Sequence, residues 1–269
     1  MYYVKSLRTP WILSNVDTST AFAGLGYSLD NQENENGHIV LGCSHIYSST
    51  GEGLKYKLSK ISNDKIQWRH KKPHLCYDDA YEFGRNIINL FYESDNELPK
   101  RVVVHKRTFF TEEEKKGIID SLYNNKKIES IDLIEINFED DIRYVASKIR
   151  DGKTQIDGFS VSRGTCIQLN TREALLWAHG VVPSVRNPRY NFYPGGRYIP
   201  KPLRVIKHYG KGDLEQIANE ILGLTKMNWN SLNMYSQLPA TISSSNDIAR
   251  IGKLIEHRGK VQYDYRFFI

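Results

Sequence analysis

Cysteine is scarce in this chain. Cys43, Cys76 and Cys166 are odd in number and far apart, which argues against a disulfide framework and fits a reducing compartment. Long apolar runs are also missing, and none approaches the roughly 18 residues that a membrane span needs. The opening stretch, MYYVKSLRTPWIL, is interrupted by Lys5, Arg8 and Pro10, so it does not read as a signal peptide. The expected location is cytoplasmic, with no membrane partner. Neither an internal repeat nor a low-complexity linker divides the 269 residues, so they are read as one large α/β domain. Acidic residues thin out in the second half. Residues 1–142 hold 18 Lys and Arg against 22 Asp and Glu, a balance of −4, while residues 143–269 hold 19 against 9, a balance of +10. Such an asymmetry is the compositional trace of a phosphate-binding surface, although solubility alone also produces it.

What is present is ample material for a core: 40% hydrophobic residues, with 17 Tyr and 10 Phe. Residues 21–29 (AFAGLGYSL) read as a strand with unusually small residues at Ala21, Ala23, Gly24 and Gly26, a surface that lets another element approach the backbone closely. Strands over 38–47 and 54–61 complete an antiparallel meander. A helix follows over 78–93 on the apolar face of Tyr81, Phe83, Ile87, Ile88, Leu90 and Phe91. Residues 101–105 read as a buried strand, Thr111 to Glu114 as a capping box opening a helix through Tyr123, and 131–138 as a further strand. Short strands are expected over 156–161, 165–169, 173–178 and 203–208, with an ordered loop over 183–202. The order of strands and helices predicts a mixed α/β sheet.

The densest polar signal lies in residues 221–255. An amphipathic helix (Leu214, Ile217, Ala218, Ile221, Leu222) is expected to be interrupted at Gly223. A nearly uncharged block then carries Lys226, Asn228, Trp229 and Asn230. Residues 238–242 (LPATI) read as a short extended run, and Ser243 to Ser245 as the N-cap of a last helix over 246–255. Amide, hydroxyl and ammonium donors between two apolar elements suit the grip of an anionic backbone without base reading. An ordinary capped loop fits the same chemistry.

Other clusters are read as structural. His70 to Cys76 has the composition of a metal site, but Pro73 disfavours a helix joining the histidines, so a solvated basic loop is expected. Gly195-Gly196-Arg197 and Gly210-Lys211-Gly212 match no phosphate-loop spacing and read as turns, as does Glu139-Asp140-Asp141. No Ser–His–Asp or Cys–His arrangement can be argued from spacing.

LTKMNWNS at 224–231, followed by LPATIS at 238–243 and a helix, resembles the last third of the PIWI domain of prokaryotic Argonaute proteins, especially the short ones. RGTCIQLNTREALLWAHGVV at 163–182 adds to the likeness, which is moderate at 99–122 and weak at 38–77. The resemblance implies an RNase H-like PIWI domain over 1–269, a mixed central sheet flanked by helices, with no MID, PAZ or N domain in this chain. Nucleases of that family hold two divalent ions about 3.5–4 Å apart on carboxylates of neighbouring strands. Their first Asp lies in a Gly-apolar-Asp-apolar-Ser pattern, and Gly26 occupies that place in Gly24-Leu25-Gly26-Tyr27-Ser28. The second falls after the strand that follows the first long helix, where Arg107 stands, and Asn246 takes the place of the last ligand. Asp30 is four residues along the strand from Gly26, about 13 Å away, and replaces nothing.

The implied protein is therefore not an enzyme. It binds a guide RNA or DNA and the complementary target strand, with base pairing supplying sequence recognition. The expected backbone contacts are Lys226, Asn228, Asn230, Thr241, Ser243 and Arg250, with Arg163 and Lys201. A Mg²⁺ at the guide 5′ end, coordinated by the C-terminal carboxylate of Ile269, is the one cofactor implied. A separate subunit carrying the MID half, and a TIR- or SIR2-type effector in prokaryotic defence, are the implied protein partners. An active nuclease with unrecognised carboxylates and a protein-interaction scaffold are the alternatives.

Overall fold

The structure is a computed structural model and describes residues 11–13, 19–29, 38–43, 55–62, 65–69, 72–156, 160–182, 199–228, 235–252 and 262–264. Its centre is a nine-stranded mixed sheet. The first strands are β1 (Thr20–Leu29), β2 (His38–Cys43) and β3 (Lys55–Ser62), the expected meander. A small ribbon, β4 (Gln67–Arg69) and β5 (Lys72–His74), leads into helix α1 (Tyr77–Asp95). Then come β6 (Arg101–Lys106), helix α2 (Glu112–Tyr123) and β7 (Ser130–Phe138). A hairpin of β8 (Ser147–Arg150) and β9 (Lys153–Ile156) stands outside the main sheet, which resumes with β10 (Cys166–Asn170), β11 (Glu173–Leu176) and β12 (Leu203–Tyr209). Helices α3 (Leu214–Leu224) and α4 (Ala240–Gly252) and strand β13 (Gln262–Asp264) complete it. The spatial order is β10-β11-β12-β7-β6-β1-β2-β3-β13, with β1, β6 and β7 parallel and at the middle.

Alternation along the parallel strands sends side chains to two separate cores. Ala21, Ala23 and Leu25 of β1, with Val102 and Val104 of β6, meet Phe83, Ile87, Leu90 and Phe91 of α1 and Ile118 and Leu122 of α2. The opposite parity (Phe22, Val103, Ile134 and Ile136) meets Ile217, Ala218, Ile221 and Leu224 of α3, and Ala240 and Ile242 of α4. Each fully buried Leu, Ile or Phe contributes roughly 1.5–3 kcal/mol. This two-sided burial is why β6 reads as a continuous apolar run.

Four expectations are corrected. Residues 238–242 are not extended, because α4 begins at Ala240: the amides of Ile242 and Ser243 bond the Pro239 carbonyl at 2.9 and 3.1 Å. Proline is well placed at a helix start, where no N–H is needed. Ser243 to Ser245 therefore lie inside the helix, and the hydroxyls of Ser244 and Ser245 donate back to the carbonyls of Ala240 and Thr241. Second, α3 runs through Gly223 to Leu224; a Cβ at Gly223 would lie 2.8 Å from Leu13 Cδ2, so glycine there serves packing. Third, His74 is no solvated loop residue but fully buried at the end of β5. Fourth, of the strand expected over 156–161, Ile156 closes β9, residues 157–159 lie outside the described residues, Ser160 and Val161 are in no strand, and Ser162 makes only an isolated bridge to Val181. Most of the 183–202 loop lies outside the described residues.

Candidate nucleic-acid interface

Gly26 follows Leu25, which pairs with Lys106, so Gly26 and Arg107 sit one step past the last pair of the β1–β6 ladder. They are neighbours in the middle of the sheet, Arg107 just past the carboxyl end of β6 and Gly26 on the stretch of β1 that runs on beyond it. Helix α4 lies directly on β1. A Cβ built on Gly26 would stand 2.7 Å from the carbonyl carbon and oxygen of Ser245 and 2.8 Å from its Cβ, so only glycine fits beneath this helix. Ser245 is fully buried, and Asn246 follows it, half-buried and about 100° further around the helix.

A second tie between α4 and the sheet lies below. His105, fully buried on β6, places Nδ1 2.8 Å from Thr241 Oγ1. Burial, with Arg101 nearby, lowers its pKa to about 3, so the ring is neutral at physiological pH. Thr241 is wholly buried and spends its hydroxyl on this contact.

The opposite face of β6 holds a buried ionic cluster. Lys106 Nζ lies 2.5 Å from Glu114 Oε1, and His74 Nδ1 lies 3.3 Å from Glu114 Oε2. Leu75 N–H and the Tyr27 hydroxyl donate to the same carboxylate at 2.9 and 3.2 Å. Glu114 also closes the predicted capping box, accepting from Thr111 N–H at 2.9 Å. Burial alone would raise its pKa; the His74 contact and the Lys106 charge outweigh that and hold it at about 2. Sequence reading found the capping box but not its second role, since Tyr27, His74 and Lys106 come from three separated segments.

The remaining expected contacts scatter. Lys226 is exposed just past α3, its carbonyl accepting from Trp11 Nε1 at 2.7 Å, with half-buried Asn228 close behind. Ser243 bonds back to Pro239 and Ala240, and exposed Arg250 lies 3.6 Å from Asp247. Arg163 is committed to the fold: its guanidinium donates to Leu222 O at 2.9 Å and Thr225 Oγ1 at 2.5 Å, stacking 4.6 Å from the Tyr235 ring. Lys201 pairs with Asp140 at 2.5 Å. Asn230 and Ile269 lie outside the described residues. The structure thus groups Gly26, Thr241 and Asn246 on or against α4, sets Arg107 just past β6 beside Phe138, and leaves Lys226 and Arg250 at the surface.

Lys201 and Arg107 share a cavity of about 680 Å³ at the carboxyl ends of β6 and β7, whose wall also includes Lys72, Asn137 and Phe138. Lys72 belongs to the cluster read from sequence as a solvated basic loop, and Asn137 carries no motif at all, so neither was expected at this cavity. Among the described residues, no group of three or more His, Cys, Asp or Glu could hold a metal ion. No described helix is long and apolar enough to cross a membrane.

Comparison with protein-family models finds no match, and neither does comparison with curated proteins. Solved structures do match. An Aquifex aeolicus Argonaute superposes with a TM-score of 0.64 at 20% identity, covering 99% of this chain and 34% of that one. A Clostridium butyricum Argonaute bound to a guide DNA and a 19-mer target DNA gives 0.64 at 17% identity, covering 97% and 30%. Another structure of the Aquifex protein, with externally bound siRNA, gives 0.61 at 19% identity, covering 99% and 32%. The chain spans about a third of the length of these proteins, and over that span it has the mixed α/β fold of the Argonaute PIWI region.

Proposed function

We propose that this chain is the PIWI part of a prokaryotic Argonaute system that holds a short guide strand and the guide–target duplex without cutting either. The observation that carries the reading is the contact of Ser245 with Gly26: at the position where the resemblance places the first metal-binding carboxylate, the helix backbone occupies the volume of any side chain. Arg107 at the neighbouring strand end adds a cation where a second carboxylate belongs, and a cation repels divalent ions. The residues present therefore do not fit a pair of catalytic ions, and no cleavage step is assigned to them. The basic balance of residues 143–269 supports contact with a phosphate backbone. So does the likeness to Argonautes solved with guide, target or siRNA.

On this reading pairing supplies sequence recognition, and Lys226, Asn228, Asn230, Ser243 and Arg250 supply backbone contacts. Arg163 and Thr241 support that surface from within the fold. A separate subunit bears the MID half and an effector that acts on invading nucleic acid. A divalent ion at the guide 5′ end belongs to the same reading through the carboxylate of Ile269, and the role of the described residues does not pass through it.

The test is to purify the chain at low salt with its native partners, end-label co-purifying strands, then add a complementary target with Mg²⁺ or Mn²⁺. Bound short strands and an intact target are expected. EDTA-sensitive cutting would establish the active nuclease instead. An oligonucleotide-free preparation that binds none in a salt-dependent manner would favour the scaffold.

A further inference from the structure

Nearly every cation around the central strands already holds a carboxylate. Lys106 pairs with Glu114, Arg101 with Asp132 and Glu220, Arg204 with Glu139 and Glu173, and Lys201 with Asp140. Arg107 is an exception. Half-buried, its guanidinium lies 5.5 Å from the Phe138 ring centroid and has no carboxylate within ion-pair distance among the described residues. A planar guanidinium fixed on a ring keeps its N–H edge available for a bidentate anion.

It opens on the 680 Å³ cavity, where Lys72 and Lys201 add two positive charges and Asp140 one negative. The opening lies outside the carboxyl ends of parallel strands, where open α/β sheets bind ligands. Its volume is in the range of small-ligand sites, on the order of 300–1,000 Å³, large enough for a nucleotide unit.

We propose that this cavity is a phosphate site, in which Arg107 and Lys72 grip one phosphate group with no divalent ion between protein and ligand. A phosphodiester inside the bound strand and a free nucleotide offer the same chemistry. The first source rests on the nucleic-acid reading above; the second does not.

The experiment measures anisotropy of a labelled guide–target duplex in EDTA, for wild type, Arg107→Gln, Arg107→Lys and Lys72→Gln. Arg85→Gln, an exposed α1 change, is the charge-matched control. Melting temperatures confirm folding, and Lys72→Gln carries the test if Arg107→Gln does not fold. A scan of single neutral methylphosphonates along each strand locates the phosphate, and AMP and inorganic phosphate serve as competitors. Arg107→Gln is expected to weaken the duplex about tenfold, with Lys72→Gln and Arg107→Lys intermediate. The log–log salt slope should fall by about 0.9. One methylphosphonate position should cost wild type about tenfold and Arg107→Gln nothing further.

Wild-type duplex affinity in folded Arg107→Gln, or a methylphosphonate profile that does not respond to the substitution, would overturn the cavity site and leave the nucleic-acid reading standing. AMP binding that depends on Arg107 in a protein that binds no strand would support the site with a free nucleotide and overturn the nucleic-acid reading. Failure to bind strand, AMP or phosphate would overturn both.

Discussion

Gly26 shows how a single missing Cβ sets a chemical limit. A carboxylate at this position collides with the Ser245 backbone 2.7 Å away, and a helix backbone cannot swing aside as a long side chain can. Gly26→Asp is therefore expected to destabilise the protein by roughly 3 kcal/mol, the upper end for overpacking. It should not create cutting activity; chemical denaturation and a Mg²⁺ cleavage assay check the two halves of the statement. Arg163 makes the converse point. Its chemistry suits phosphate, yet its Nη2 is spent on Leu222 and Thr225 at the end of α3 and its face on Tyr235. Arg163→Ala should cost roughly 2–3 kcal/mol in urea unfolding while changing strand affinity in the folded protein less than Arg250→Ala does.

At the scale of elements, α4 and α2 contrast in how openly they announce themselves. The opening of α2 is a local signal: the capping box at Thr111 and Glu114 is as written in the sequence. The opening of α4 was misplaced because three serines and a proline carry two meanings. They suit a cap before a helix, and equally a first turn whose hydroxyls bond back to carbonyls; packing of Ala240 and Ile242 into the second core selects the latter. Glu114 ties α2 to β6 and β5 as well, which gives it a pH signature. Its folded pKa of about 2 lies below its ordinary 4.5, so the stability it contributes is complete above about pH 4.5 and is lost as pH falls toward 2. Glu114→Gln leaves Lys106 buried without its counter-charge and should cost about 3–5 kcal/mol at pH 7. Melting curves from pH 6 to 3 should show the wild type losing its advantage over this variant.

For the whole molecule, the sheet order places acidic and basic halves of the chain in one body, with β1, β6 and β7 of the first half continued by β12, β11 and β10 of the second. If the basic half faces a strand, log affinity should fall linearly with log salt, by about 0.9 for each duplex phosphate neutralised. A flat dependence between 50 and 300 mM salt, read by anisotropy, would remove the nucleic-acid reading. The sequence by itself determined β1, β2, β3, β6 and β7 and the helices α1 and α2, because period-two and period-3.6 patterns and a capping box are local. It also determined the charge asymmetry and the glycine at position 26. Only the tertiary structure decided that Ser245 fills the space over that glycine, that Arg163 and Thr241 are spent inside the fold, and that Lys72 and Arg107 share one cavity. Those facts depend on which residues meet across tens to hundreds of positions, and contact of that range leaves no periodic mark in the chain.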